Sequence, residues 1–505
     1  MNLTSLVRPH FVKRIDAMTY ATLHARDAQS AQLGMLLKNG RRTLVGERAG
    51  YGSIDSYDDY RSRVPVSGYA DIRPLVERMI AGEKDILWPG TTKRFAQSSG
   101  TSDGKSKYIP VTADSLRRNH YQGGSDVVSS YLHLYPDSRM FDGKGFILGG
   151  SFANELTLPA GIKVGDLSAN LIDAINPLVN LVRVPSKRIA LMEDWRQKLP
   201  ALVKASINSD ITNISGVPSW FLTVLKEVIK AAGASTIHDV WPHLEVFFHG
   251  GISFKPYREQ YARITDTSRM RYLETYNASE GFFAVQSAIE DPSLLLLLDI
   301  GVFYEFIPVD EDGDPHPHAL AAWEVKEGET YAMIITSCNG LWRYALGDTV
   351  TVTSVNPLKI IISGRTKHYI NAFGEELMVY NADAAIAATC RETDCAITNY
   401  TAAPVYAGDK SRGRHEWLIE FSREPDDIEA FADALDRNLC RENSDYQAKR
   451  AGNLFLDRLN IVKGRHGVFD EWLASTGKLG GQRKVPRLSN DRRIMDAMLR
   501  INDIG

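Results

Sequence analysis

Ser98-Ser-Gly-Thr-Ser-Asp-Gly-Lys-Ser-Lys107 gathers two glycines, a run of hydroxyl side chains and two lysines in ten residues. Glycines let backbone N–H groups approach an anion, hydroxyls donate further hydrogen bonds, and ammonium groups neutralise charge. On composition alone the stretch reads as a phosphate-binding loop or as a Ser/Gly-rich surface turn. The nearest general pattern is the P-loop, GxxxxGK[ST]. Gly100-Thr-Ser-Asp-Gly104-Lys105-Ser106 misses it by one residue, with three positions between the glycines instead of four. No strand-then-helix pattern clearly flanks the stretch, so a P-loop NTPase stays a minor alternative.

The chain around this loop has 505 residues, more than one core comfortably serves, so two or more domains are expected. Hydrophobic residues make up 44%, charged residues 24%, and the formal net charge is −3. That balance excludes a disordered chain and a polybasic nucleic-acid binder. The start lacks the apolar core of a signal peptide. The most apolar run, Leu294 to Phe303, is interrupted by Asp299 and Gly301 and falls short of the roughly 20 residues of a membrane span. It reads as a buried strand pair. Four scattered cysteines, Cys338, Cys390, Cys395 and Cys440, give no disulfide framework. Cys390 and Cys395 lack a second pair for zinc. A cytoplasmic protein without membrane or nucleic-acid partners is the expectation.

The first 90 residues carry apolar positions at helical spacing, broken at Gly50 to Ser53. From about 240 to 365 short apolar runs such as Leu244–Phe248, Tyr331–Ile335 and Lys359–Ile362 predict strands. Beyond Arg365 a strand at His415–Phe421, a helix with Ile428, Phe431, Ala432, Leu435 and Leu439 on one face, and a strand from Leu454 to Val462 predict a second α+β unit of roughly 140 residues. Pro425 is placed in the first turn of that helix. The fold class is therefore mixed α/β, a large N-terminal domain at 1–364 followed by a smaller α+β domain at 365–505.

Several blocks carry a family resemblance. Ser98-Ser-Gly-Thr-Ser-x-Gly-x-x-Lys107 resembles the phosphate-loop signature of the auxin-responsive acyl-acid amido synthetases, plant hormone-conjugating enzymes with bacterial relatives in the acyl-adenylate-forming superfamily. Val64-Pro-Val-x-x-Tyr69 and Gly82-Glu-x-x-Ile-Leu-Trp88 before it are similar to family positions. So are His249-Gly-Gly251, Thr275-Tyr-Asn-Ala-Ser-Glu280, Arg343-Tyr-Ala-Leu-Gly-Asp348, Ser363-Gly-Arg365, Tyr369-Ile-Asn371 and Gly481-Gln-Arg-Lys-Val-Pro-Arg487 after it, in matching order.

The resemblance implies an ATP- and Mg²⁺-dependent ligase that adenylates a carboxylic acid, releases pyrophosphate and passes the acyl group to the amine of an amino acid. It implies that Ser98, Ser99, Gly100, Thr101, Ser102 and Lys107 hold phosphates. Gly251, Thr275, Tyr276, Ser279, Asp348 and Arg365 serve the nucleotide, with adenine on the Tyr276 ring and both ribose hydroxyls on Asp348. Glu280 offers Mg²⁺ a hard oxygen, and Lys484 stabilises the charge of adenylation. It also implies a hinge near 363–367 and a mobile C-terminal domain. Helical spacing after Thr112 sets Arg117, Tyr121 and Ser125 toward one side, the expected acyl pocket. Ala345 and Glu375-Glu376 depart from the pattern of relatives beside the hinge. A thiol acceptor such as coenzyme A or a carrier arm is the main alternative, and a non-catalytic acyl-binding protein a minor one.

Overall fold

The structure is a computed structural model that describes residues 3–98, 106–154, 156–309, 318–365, 369–406, 412–453, 455–475 and 485–504. The chain divides into two compact units, one formed by 1–98, 107–254 and 261–366, the other chiefly by 255–260 and 367–505.

The first unit opens with helices, as the periodicity predicts: α1 (Leu3–Leu23), α2 (Ala25–Gly40), α3 (Leu44–Ala49), α4 (Tyr57–Arg63) and α5 (Tyr69–Ile80). The expected break is the turn Tyr51–Ser53, entered through Gly50 at φ +67°. A three-stranded sheet follows, in which β1 (Arg94–Ser98) pairs antiparallel with β2 (Lys107–Pro110) and parallel with β4 (Lys163–Gly165). The large sheet has twelve strands. Its parallel part runs β5 (Arg183–Val184), β3 (Lys144–Ile147), β6 (Ile211–Gly216), β7 (Val246–Gly250), β8 (Arg271–Ala278). Its antiparallel part continues from β8 through β9 (Gly281–Gln286), β10 (Leu294–Leu296), β15 (Leu358–Arg365), β14 (Leu341–Val355), β13 (Thr330–Ser337) and β11 (Val302–Pro308) to β12 (Leu320–Ala321). The helices α6 (Tyr121–Leu134), α7 (Leu167–Ala174), α8 (Lys187–Ala190), α9 (Trp195–Ser206) and α10 (Pro218–Ala232) serve as connections, with the short α11 (Ile237–Val240) and α12 (Arg258–Ile264). β7 is buried almost throughout, as a central parallel strand with both faces covered must be. The main core of this unit joins β1, β9, β10, β13 and β14 through Phe95, Phe283, Leu294, Met333 and Val350.

The apolar run from Leu294 corrects one expectation. It yields two strands, β10 and β11, which do not pair with each other: β10 lies between β9 and β15, and β11 between β12 and β13. Gly301, at φ +79°, turns the chain between them.

The second unit carries the hairpin β16 (Tyr369–Ile370) and β17 (Leu377–Met378), then α13 (Val379–Glu392) and the sheet of β18 (Ala396–Val405), β19 (Arg414–Arg423) and β20 (Asn460–Gly464). Its other helices are α14 (Ile428–Glu442), α15 (Ser444–Arg450), α16 (Val468–Ser475) and α17 (Arg493–Ile504). Period-two alternation sorts β19. Trp417 stacks on Tyr400 and Phe421 meets Phe431 of α14 edge-on, whereas Leu418 joins Val468, Phe469, Met495 and Met498 of α16 and α17. Two boundaries differ from expectation. The Asp427 carboxylate accepts the N–H groups of Glu429 and Ala430, so α14 starts at Ile428 and Pro425 stands outside it. The strand expected from Leu454 begins instead at Asn460, after an isolated bridge between Leu456 and Gly413. Leu454 itself lies outside the described residues.

Candidate functional site

Parallel strands present their carboxyl ends on one rim, where open α/β sheets bind ligands. At this rim β7 ends in His249-Gly250, with Gly250 opposite Thr275 of β8. A methyl group on Gly250 would stand 2.5 Å from the Thr275 carbonyl oxygen and 2.7 Å from its hydroxyl, so only glycine permits the approach. The Thr275 hydroxyl donates to the His249 carbonyl at 3.1 Å, and Gly251 then turns the chain at φ +83°.

The next residue, Tyr276, makes the central contact: its hydroxyl donates to Asp348 Oδ2 at 2.6 Å. Four strand steps separate β8 from β14 in the sheet order, about 19 Å in a flat sheet at about 4.8 Å per step. A side-chain hydrogen bond across that interval requires the sheet to curl over. Tyr276 is 5% exposed and Asp348 8%, and the tyrosine ring meets Phe283 edge-on at 5.0 Å. Gly347, at φ +86°, breaks the regular strand just before Asp348, which lies opposite Arg365 of β15. Thr275, Tyr276, Asp348 and the Arg365 backbone, widely separated in sequence, are thus brought to one place.

Ser279 and Glu280 form the turn between β8 and β9. The turn is braced by Asn339, whose side-chain amide donates to the Glu280 carbonyl at 2.9 Å and whose oxygen is bonded to the Ser337 hydroxyl. Asn119 braces Phe282, two residues past Glu280, accepting from its N–H at 2.7 Å and donating to its carbonyl at 2.9 Å. The Glu280 side chain is 8% exposed on this fixed turn. Among the described residues no three His, Cys, Asp or Glu side chains gather into a metal site. Glu280 fits Mg²⁺ as a single protein ligand, because that ion keeps most of its shell as water and substrate phosphate oxygens.

The Ser98–Lys107 stretch joins two antiparallel strands, with Ser98 directly opposite Lys107. A P-loop leads from a strand into a helix. The strand-to-strand connection therefore overturns the P-loop alternative. Next to Lys107, the Tyr108 N–H donates to the Tyr69 hydroxyl at 2.8 Å, which fixes the hairpin to α5. Ser99, Gly100, Thr101 and Ser102 lie outside the described residues, as does Lys484. The stretch after Lys484 adds to the sheet of the second unit: Ala402 N donates to the Arg487 carbonyl at 2.9 Å, and the Thr401 hydroxyl to the Pro486 carbonyl at 2.8 Å. Among the described residues of this region, the arginines have acidic partners. Arg487 pairs with Asp383, Arg492 with Glu416 and Asp496, and Arg493 with Asp491.

The expected acyl-pocket residues occupy different settings. Arg117 lies in a π-helical stretch, Ser115–His120, with its side chain 71% exposed and paired to Asp114 at 3.1 Å. Tyr121 donates to the Leu171 carbonyl of α7 at 2.9 Å, and the Ser125 carbonyl accepts from Ser129 within α6. Arg117 and Tyr121 are thus engaged with different partners, one at the surface and one against α7.

Sequence reasoning missed the residues that hold this site in shape. Arg343, in the same block as Asp348, sits at φ +44° and pairs with Glu305 of β11 at 2.9 Å; both side chains are almost fully buried. It also donates to the carbonyls of Arg61 and Val64, and Tyr57 donates to Glu305. Burial raises the Glu305 carboxyl above its ordinary range, and Arg343 opposes that shift. Of the two departures from the family pattern, Glu375 is buried, accepts the N–H groups of Ala372 and Phe373, and bonds to His415 at 2.8 Å. The other, Ala345, donates its N–H to the Ser67 carbonyl. No spacing signals such long-range partners; an arginine or glutamate inside an apolar strand run is the one sequence hint.

The fold is shared with a solved amido synthetase and a solved CoA ligase. A solved acyl acid amido synthetase in complex with 2,4-DB superposes with a TM-score of 0.63 at 18% identity, covering 97% of this chain and 95% of that one. A 2-hydroxyisobutyryl-CoA ligase in complex with 2-HIB-AMP and CoA superposes at 0.55 and 14% identity, covering 96% and 94%. Profiles of the GH3 family match its N-terminal domain at residues 14–179 and 176–270, its central domain at 295–365 and its C-terminal domain at 380–493. The chain belongs to the GH3 family. Among its relatives, indole-3-acetic acid-amido synthetase GH3.8 of Oryza sativa subsp. indica is 24% identical over 68% of this chain. That alignment spans 66% of the rice protein, just under two thirds. Indole-3-acetic acid-amido synthetase GH3.4 of Arabidopsis thaliana is 23% identical over 94% of this chain and 91% of its own length. No helix among the described residues is long and apolar enough to cross a membrane.

Proposed function

We propose that this chain is an acyl-acid amido synthetase: it uses ATP to convert a carboxylic acid into an acyl-adenylate, then joins the acyl group to the amine of an amino acid. The observation that carries the reading is the Tyr276–Asp348 hydrogen bond at the carboxyl rim. It joins two blocks that the sequence separates and that the family resemblance assigns to one nucleotide.

A carboxylate resists attack by an amine, and transfer of AMP supplies the leaving group that it lacks. The work left to the protein is positioning and charge stabilisation. In this reading Ser98, Ser99, Gly100, Thr101, Ser102 and Lys107 receive the phosphates. Thr275, Ser279, Gly251 and Arg365 line the nucleotide, Tyr276 orients Asp348, and Asp348 accepts both ribose hydroxyls. One carboxylate has about four acceptor positions, which serve the tyrosine and the ribose together. Mg²⁺ on Glu280 would neutralise phosphate charge, and Lys484 would stabilise the charge of adenylation. Arg117, Tyr121 and Ser125 belong to the acyl side. Residues 1–364 form the adenylation domain, and 365–505, beyond a hinge near 363–367, the mobile domain.

The test is ATP–pyrophosphate exchange over a panel of carboxylic acids, followed by addition of amino acids or coenzyme A with mass detection. Exchange with at least one acid and an amide product are expected. No exchange with any acid would refute activation, and a product that is only a thioester would refute the amine acceptor.

A further inference from the structure

A buried lysine is rare because its ammonium loses hydration. Lys198 of α9 is 1% exposed, and burial, opposed by Asp166, pulls its pKa down to about 8. Its Nζ donates to the Gly149 carbonyl at 2.6 Å, reaches the Gly150 carbonyl at 3.4 Å, and lies 4.8 Å from the centre of the Trp195 ring. The same three-residue turn is held from its amide side. Gly150 N donates to the Ser168 hydroxyl at 2.8 Å and Ser151 N to Asp166 Oδ2 at 2.6 Å, while Asp166 N returns a bond to the Ser151 carbonyl. A methyl group on Gly150 would fall 1.9 Å from Asp166 Oδ2, so the clamp admits only glycine there.

This turn leaves the carboxyl end of β3. Ile147 lies opposite Ser215, Gly216 opposite His249, and Gly250 opposite Thr275, so Gly149 to Ser151 stand on the same rim as the nucleotide residues. Three strand steps place them about 14 Å from Thr275 at about 4.8 Å per step. Helix α7, whose start the clamp fixes, also receives the Tyr121 hydroxyl on the Leu171 carbonyl. The turn therefore joins the rim to the wall assigned to the acid.

We propose that Lys198 is a positioning residue for the acyl acid, its ammonium holding the Gly149–Ser151 turn in the shape that accepts the acid beside the nucleotide. This rests on the acid-activation reading above. Asp166 is the charged side chain set against the ammonium. Of the helices packed on α9, α8 gives Lys187 to Asp173 and exposes Arg188, and α10 carries Lys226, Glu227 and the exposed Lys230. Loss of the proton weakens both carbonyl bonds, so the acid-competent fraction falls as pH rises through 8.

The experiment is ATP–pyrophosphate exchange with an accepted acid from pH 6.5 to 9.5, in the unaltered protein, Lys198→Arg and Lys198→Met, each checked by thermal melting. Apparent affinity scales with the competent fraction, so the KM for acid is expected to rise about tenfold from pH 7 to pH 9 in the unaltered protein. Lys198→Arg, charged throughout, is expected to give a flat profile. Lys198→Met is expected to show a high KM for acid at every pH, with the KM for ATP within about twofold of the unaltered protein. Equal slopes in the unaltered protein and Lys198→Arg, or an unaltered acid KM in Lys198→Met, would overturn the proposal. If Lys198→Met fails to fold, the comparison with Lys198→Arg decides alone. If no acid supports exchange, acid activation has failed. The clamp is then read by amide hydrogen exchange at Gly150 and Ser151, and equal rates above pH 8 in the unaltered protein and Lys198→Arg overturn it.

Discussion

Replacing Tyr276 by phenylalanine removes one hydroxyl and leaves the ring against Phe283. The lost bond, 2.6 Å to Asp348, is short and lies between two groups that are 5% and 8% exposed. A hydrogen bond to a charged partner contributes about 1.5–3 kcal/mol, and a buried acceptor left short of a donor costs a similar amount. Two effects compete on nucleotide binding. Removal of the hydroxyl frees a lone pair on Asp348, but it also releases the carboxylate from the orientation that the bond imposes. The second wins, because a carboxylate already has acceptor sites to spare for two ribose hydroxyls. A loss of about 1.5 kcal/mol corresponds to a roughly tenfold rise in the KM for ATP, at about 1.4 kcal/mol per tenfold. ATP–pyrophosphate exchange at varied ATP measures the first quantity, and urea unfolding measures the accompanying loss of about 1.5–3 kcal/mol in stability. A KM for ATP that is unchanged or lower would refute the idea that the hydroxyl orients Asp348 for the ribose. Unchanged stability would refute the strength assigned to the bond.

Glu280→Gln keeps the shape of the turn braced by Asn339 but removes the anionic oxygen. Pyrophosphate exchange is expected to fall at least about a hundredfold without a change in melting temperature, as expected for lost electrostatic stabilisation; wild-type exchange at low Mg²⁺ would count against the metal role. Arg343→Met leaves the buried Glu305 without its cation, and breaking such a pair costs about 3–5 kcal/mol. Urea unfolding should register that loss, and a shift under about 1 kcal/mol would contradict the pairing. Burial also lowers the His120 pKa to about 4 from an ordinary 6.5. Below pH 6.5 the unfolded chain gains a proton that the folded one refuses, so stability falls as pH drops toward 4. From pH 7 to pH 4.5 this amounts to about 2.5 kcal/mol, which His120→Leu should remove from the acid arm of the stability profile. Parallel acid arms in the two proteins would show that His120 is not held neutral.

Much of the fold was legible because local chemistry and tertiary demand agree. Helical periodicity gave the N-terminal helices, and alternating or apolar runs gave β7, β13, β15 and β19. Misreadings arose where a side chain or a long-range pairing set the boundary. Asp427 capped α14 past Pro425, and Leu294 to Phe303 supplied two strands to distant parts of one sheet. Of the candidate site, the sequence supplied residue types and their order: the glycines, hydroxyls and lysines of the Ser98–Lys107 stretch, then Tyr276, Glu280 and Asp348.

The sequence could not say that the Tyr276 hydroxyl reaches Asp348, because 72 positions and four strand steps lie between them. Nor could it show that Arg343, immediately before the Tyr-Ala-Leu-Gly stretch, is a core anchor, that Asn339 braces the Glu280 turn, or that Lys198 clamps a rim turn at Gly149. Residue types and their local spacing are properties of the chain itself, and they fixed which chemistry was available. Which groups meet depends on how the sheet curls and which strands become neighbours. That is set by burial of the whole core at once, and the tertiary structure alone decides it.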